Sequence, residues 1–249
     1  MMKKIVVLLM VMSSFSAISQ TNEGVVKYTR TTYWTKLISQ LSYVTKQEKD
    51  KMSYMFGGRD DWKEYMLLYF NENGSRYTHS EEKSDESEGY DWGKQEFNIN
   101  RNFEKNTMTD LVDFLGKGYL IEDSLQTPKW KILNDLKDVA GHICMKAMVE
   151  DTVKKQKIIA WFAQDIPLNA GPERLYGLPG MILELDINDG AVIIEATKIE
   201  LKKLGNEMDL PKKLKGKKLT EKGYQEMLYK FVKEKTKEEN ANWIWMVRY

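Results

Sequence analysis

Trp161-Phe-Ala-Gln-Asp165-Ile-Pro167, followed by Gly171-Pro172 and by Tyr176-Gly177-Leu178-Pro179-Gly180-Met181-Ile-Leu-Glu184-Leu-Asp-Ile187, is the stretch on which the fold turns. Three of the chain's five prolines (Pro167, Pro172, Pro179) and three of its sixteen glycines (Gly171, Gly177, Gly180) fall here, between two apolar runs. Pro167 fixes its own φ and drives Ile166 towards extended backbone, so a strand over 158–162 stops near Asp165. Pro179 suits position i+1 and Gly180 position i+2 of a type II turn. Met181, Leu183, Leu185 and Ile187 then alternate with Ile182, Glu184 and Asp186, the period of a strand with one apolar face. The connection between these strands is longer than a hairpin needs, and its composition makes it rigid.

The hexapeptide Gly177-Leu-Pro-Gly-Met-Ile182, preceded by Ala160-Trp161, Asp165-Ile166-Pro167 and Gly171-Pro172, resembles the signature of the GLPGLI family of secreted Bacteroidota proteins. Met181 stands where the family has Leu, a volume-conserving exchange. Lys146-Ala147, one strand earlier, also fits, so the resemblance is good over roughly residues 130–199 and looser elsewhere. It implies a signal peptide, a mostly antiparallel β fold and a role in the envelope, with no settled activity. A place beside outer-membrane transporters is a further implication.

Outward from that centre, residues 1–19 read independently as a secretory leader: Lys3-Lys4, an apolar run over 5–12, and Ala17-Ile18-Ser19 as a small-residue cleavage site. The run is too short to span a bilayer. Loss of Lys3 and Lys4 lowers the formal charge from +1 by two, to −1, from which no strong preference for nucleic acid or an anionic membrane follows. With 249 residues and 42% apolar content the chain can bury a full core. Residues 20–249 are read as one β-rich domain. The expected location is the periplasm or the outside of the cell, and no transmembrane segment is expected in the mature chain.

The order of elements points to a mainly β (α+β) fold, a curved antiparallel meander or half-barrel with a C-terminal amphipathic helix. Strands are expected at 24–34, 65–70, 75–79, 107–115, 119–122, 130–136, 142–149, 155–163, 181–187 and 191–201, with short turn signals between most of them. Residues 37–55 keep neither period 2 nor period 3.6. Residues 80–93 read as an acidic mobile loop; calcium is the competing reading, but the ordered acidic spacing of a calcium loop is missing. From Thr220 the recurrence of Tyr224, Met227, Leu228, Phe231 and Val232 predicts a helix lying on the sheet. Lys212 to Lys218 is a basic patch, read as a solvated loop.

The chemistry search is mostly negative: the chain has no G-x-S-x-G, H-E-x-x-H, C-x-x-C, G-x-G-x-x-G or Walker loop. Its one cysteine, Cys144, rules out an internal disulfide. Cys144 lies two residues from His142, with Met148 further along; the set could serve as thiol nucleophile with its base, or as soft ligands for copper(I), against a simpler packing role. The preferred ligand-binding residues are Trp161, Asp165, Pro167, Gly171, Pro172, Gly177, Leu178, Pro179 and Gly180, as one rim of a concavity. The expected function is non-enzymatic binding of an apolar ligand, a peptide or an outer-membrane partner, without a cofactor. The alternative is an envelope enzyme using Asp165 and Glu184, or His142 and Cys144.

Overall fold

The computed structural model describes residues 22–40, 44–56, 61–81, 97–151 and 156–235. The leader and nearly all of the acidic segment 80–93 lie outside these. Among the described residues twelve strands form one open sheet in the order β12-β6-β5-β4-β3-β2-β1-β11-β10-β9-β8-β7, where β12 is the short strand Lys217–Leu219. All neighbours are antiparallel except β12 and β6, which run parallel.

The sheet is two meanders. The first is β1 (Gly24–Tyr33), β2 (Asp61–Asn71), β3 (Gly74–His79), β4 (Phe97–Asn102), β5 (Thr107–Phe114) and β6 (Lys117–Ser124). The second is β7 (Lys131–Val139), β8 (His142–Asp151), β9 (Gln156–Ala163), β10 (Met181–Ile187) and β11 (Val192–Leu201). They are welded where β11 pairs with β1, Ile194 opposite Arg30. Flat, the ten gaps from β6 to β7 would span about 48 Å at ~4.8 Å each. The connection 125–130 reaches no more than about 25 Å. The sheet must therefore curl, which is the half-barrel expected from the sequence.

Residues opposite one another in a ladder share a face, so Arg30, Ile194, Leu185, Ala160 and Ala147 mark the inner side. Tyr28, Tyr77, Phe162 and Leu68, all essentially buried, belong to the core there. Helix α3 (Glu221–Lys235) closes one end, with Phe231 edge-on to Phe114 at 5.1 Å and Tyr224 fully buried. Thr220 caps it as expected: its hydroxyl accepts from the Gly223 N–H at 3.1 Å.

The stretch 37–55 resolves into α1 (Trp34–Ser39) and α2 (Lys46–Phe56), packed on a small core of Ile38, Val44 and Met52. The start of α2 is a reciprocal cap. Glu48 accepts from the Thr45 N–H and hydroxyl at 2.9 and 2.7 Å, and Thr45 accepts from the Glu48 N–H at 3.3 Å. Strand β4 escapes a propensity reading because Asn98, Asn100 and Asn102 disfavour strands. Tertiary bonds hold two of them: Arg76 donates to Asn98, and Asn100 donates to the Thr109 carbonyl.

Candidate functional site

The connection 164–180 turns back over the strands it joins. The Met181 N–H donates to the Ile166 carbonyl, Ile182 to Ala170, Gly177 to Asn169, and the Trp130 indole to the Tyr176 carbonyl, all at 2.9–3.0 Å. From inside, the Tyr28 hydroxyl donates to the Ile182 carbonyl at 2.6 Å. Gly180 has φ +151°, and a Cβ there would lie 2.3 Å from the Ala163 carbonyl oxygen. The Gly180 N–H donates to the Leu178 carbonyl at 2.8 Å and Met181 to Ile166, so the turn differs from type II, and the positive φ and the close backbone approach both demand glycine. A Cβ at Gly171 would likewise meet the Leu175 oxygen at 2.7 Å.

The residues singled out from the sequence divide between two environments. Gly171, Pro172, Leu178 and Gly180 are buried, and Leu178 joins the core. Pro167 and Pro179 are exposed, with Gly177 half-buried. Trp161 and Asp165 belong to the outer side of the sheet. Trp161 lies between Lys146 and Glu184 in the ladder, with the Lys137 and Lys146 ammoniums 5.7 and 5.6 Å from its ring centre. Lys137 pairs with the buried Glu184 at 2.5 Å, and Lys146 with Asp135 at 3.2 Å. Asp165 binds His142 Nδ1 at 2.7 Å.

Cys144 lies in this group without being activated by it. It is fully buried, and its thiol points to the His142 carbonyl oxygen at 3.6 Å. Burial, with Asp165, Glu184 and Asp138 nearby, pushes the thiol up to about 12. A nucleophilic cysteine needs the opposite shift. Among the described residues, no three His, Cys, Asp or Glu side chains are grouped to hold a metal ion.

A second cluster has no counterpart in the sequence reading. Asp110 on β5, completely buried, accepts from Arg101 on β4 and, at 2.8 Å, from Arg174 in the connection. Arg174 continues to Glu221 at the first turn of α3, and its guanidinium lies over the Tyr224 ring. Burial alone would lower the Arg174 pKa; Asp110 and Glu221 outweigh it and raise it. Alongside, Arg30 pairs with Glu64 at 2.7 Å and approaches Glu173 at 3.6 Å, and the Tyr77 hydroxyl donates to Glu173 at 3.4 Å. These charges tie the connection and the helix to the inner wall. The one signal in the sequence is positional: Asp110 interrupts the apolar set Met108, Val112, Phe114.

At the opposite end the inner face is bare. Ile132, Leu136 and Ile143 are 47%, 65% and 63% exposed. Their ladder rows lead towards the core: Ile132 to buried Ala147 and Ala160, Leu136 to half-buried Met145 and buried Phe162. Among the described residues nothing pairs with the far side of β7. That strand also carries exposed Lys131, Asp135, Lys137 and Asp138, and its ladder is irregular between Ile132 and Leu136. Charges and bulges of this kind discourage edge-to-edge pairing of sheets. They leave the apolar face itself available.

A family model described as a protein of unknown function (Porph_ging) matches residues 148–184, from late β8 to early β10. No curated protein matches the chain. Two crystal forms of PNGF-II are similar in structure. The P21 form has 14% sequence identity and a TM-score of 0.55 over 84% of this chain and 33% of that one. The C2 form has 13% identity and a TM-score of 0.53 over the same shares. The chain thus spans about a third of the length of these structures, and at such identity the likeness shows the β-rich fold alone.

Proposed function

We propose that the protein is an exported, non-enzymatic binding module of the GLPGLI type, whose partner is a polypeptide that covers the β7–β8 corner. The observation that carries this is the exposure of Ile132, Leu136 and Ile143 on a face that elsewhere forms the core. Contiguous exposed apolar surface of this kind marks interaction sites. Of the charges on β7, Asp138 shares this face, opposite Ile143, while Lys131, Asp135 and Lys137 belong to the outer side. The inner face around Phe162, Leu178 and Tyr224 is packed by the protein's own side chains, which argues against a buried small apolar ligand at that place. The overlap of the Porph_ging match with the Gly177–Ile182 signature supports the family reading, and the leader in the sequence supports export.

The test is a photo-crosslinking residue at Leu136 in protein expressed in its own envelope, with Leu201, 63% exposed at the end of β11, as the control position. One polypeptide should crosslink from Leu136 and not from Leu201, and Ile143→Thr should abolish it. Equal labelling from both positions, or lipid adducts alone, would overturn the reading.

A further inference from the structure

We infer that the β6–β12 side of the molecule docks on an anionic lipid bilayer. The sheet ends there on β12 (Lys217–Leu219), parallel to Tyr119, Leu120 and Ile121 of β6. The loop ahead of it presents Lys212, Lys213 and Lys215, and the strand adds Lys217 and Lys218, all exposed. Because the pairing is parallel, moving back from Lys217 leads along β6 to exposed Lys117 and then to the β5–β6 turn at Leu115-Gly116. A Cβ at Gly118 would lie 3.8 Å from the Gly216 Cα, which places the loop directly beside the start of β6. Six exposed lysines therefore gather along this edge, with Lys217 and Lys218 on opposite faces of β12. Among the described residues Lys218 alone of the six has an ion-pair partner, Glu122 at 3.1 Å.

Three carboxylates beside β6 and α3 are turned to other uses, while Asp209 stands exposed next to Leu210. Glu221 binds Arg174, Asp123 accepts from the Glu221 N–H, and Asp113 accepts from the Gly116 N–H. The ridge is also fixed in place. Gly216 has φ +143°, and a Cβ there would lie 2.8 Å from the Tyr119 carbonyl carbon and 2.9 Å from the Leu120 nitrogen. Only glycine lets the loop lie flush on β6.

Two leucines give the second observation. Leu115 stands at the turn 46% exposed with φ +53°, a left-handed conformation that Asn or Gly adopts more easily. Leu210, 41% exposed, leads into the basic loop. Apolar side chains beside a one-sign lysine ridge match an interfacial membrane contact, with the leucines entering the headgroup boundary and the ammoniums meeting phosphates. A nucleic acid would use the lysines and leave the leucines without a role.

Sedimentation of the purified protein with phosphatidylglycerol-containing vesicles and with pure phosphatidylcholine vesicles tests this at low and high salt. Binding should be confined to anionic vesicles and should fall with salt. At roughly fivefold per lysine, the triple variant Lys213→Gln, Lys215→Gln, Lys217→Gln should lose about a hundredfold in partitioning. Leu115→Asn, whose side chain suits the left-handed turn, should melt no lower than the parent and bind several-fold more weakly. Equal binding to both vesicle types, or a triple variant that still binds, would overturn the inference. So would salt-sensitive binding of heparin or single-stranded nucleic acid that Leu115→Asn leaves intact while vesicles are ignored.

Discussion

Asp110 and Leu136 both lie on the inner side of one sheet, and each contradicts the ordinary assignment of its residue type. The carboxylate is fully buried, while the leucine is 65% exposed. At the β4–β5 end, the connection 164–180 and helix α3 press down on the wall and bring Arg174 and Glu221 with them, so charge can be buried because it is paired. At the β7–β8 end neither element reaches, and a core-facing row simply runs out into solvent. The difference teaches that coverage, not strand pattern, decides which stretch of an alternating strand becomes core and which becomes a surface for something else.

The comparison can be broken most sharply at Asp110. Asp110→Ala leaves Arg101 and Arg174 buried without their shared carboxylate, and should lower unfolding free energy by about 3–5 kcal/mol in denaturant titration. A change under about 1 kcal/mol would mean that the network is not what holds the covered end. Gly180→Val comes next: the added Cβ meets the Ala163 backbone, so a loss of about 2–4 kcal/mol is expected in the same measurement.

Between the two ends, Cys144→Ala should cost about 1–2 kcal/mol, as trimming a small packed side chain does. The thiol also gives a pH signature. Its pKa is raised from 9.0 to about 12, so the folded state holds its proton more tightly than the unfolded chain. That stability is fully present below pH 9 and is lost as pH rises towards 12. Tyr224, raised by burial from 10.0 to about 12, acts in the same direction over pH 10–12. Melting should fall across this alkaline range, and Cys144→Ala should flatten its lower part. The smallest effect belongs to the uncovered end. Leu136→Thr and Ile143→Thr should each change stability by no more than about 0.5 kcal/mol, and Ile143→Thr should remove the crosslink formed from position 136. A large loss would mean that the corner is core after all.

The physics that could be read locally was read well. Strand alternation placed β10 at Met181–Ile187, the short turn before residue 191 placed the β10–β11 hairpin, and Thr220 marked the start of α3. The Thr45…Glu48 cap was equally local and was overlooked, because the helix behind it has only a weak apolar stripe. The positive φ at Gly180 is legible in the chain, but the Ala163 backbone lying against it is not.

The sequence by itself thus determined the class of fold, a curved antiparallel sheet with a C-terminal helix, and the rigidity of the Pro/Gly connection, since propensity, period and turn chemistry act within a few residues. Tertiary structure alone decided that Trp161 and Asp165 face away from Leu178, and that Arg30, Arg101, Asp110, Arg174 and Glu221 converge. Convergence depends on which strands are neighbours and which segment lies across them, and separations such as the 64 residues from Asp110 to Arg174 leave no periodic trace in the chain.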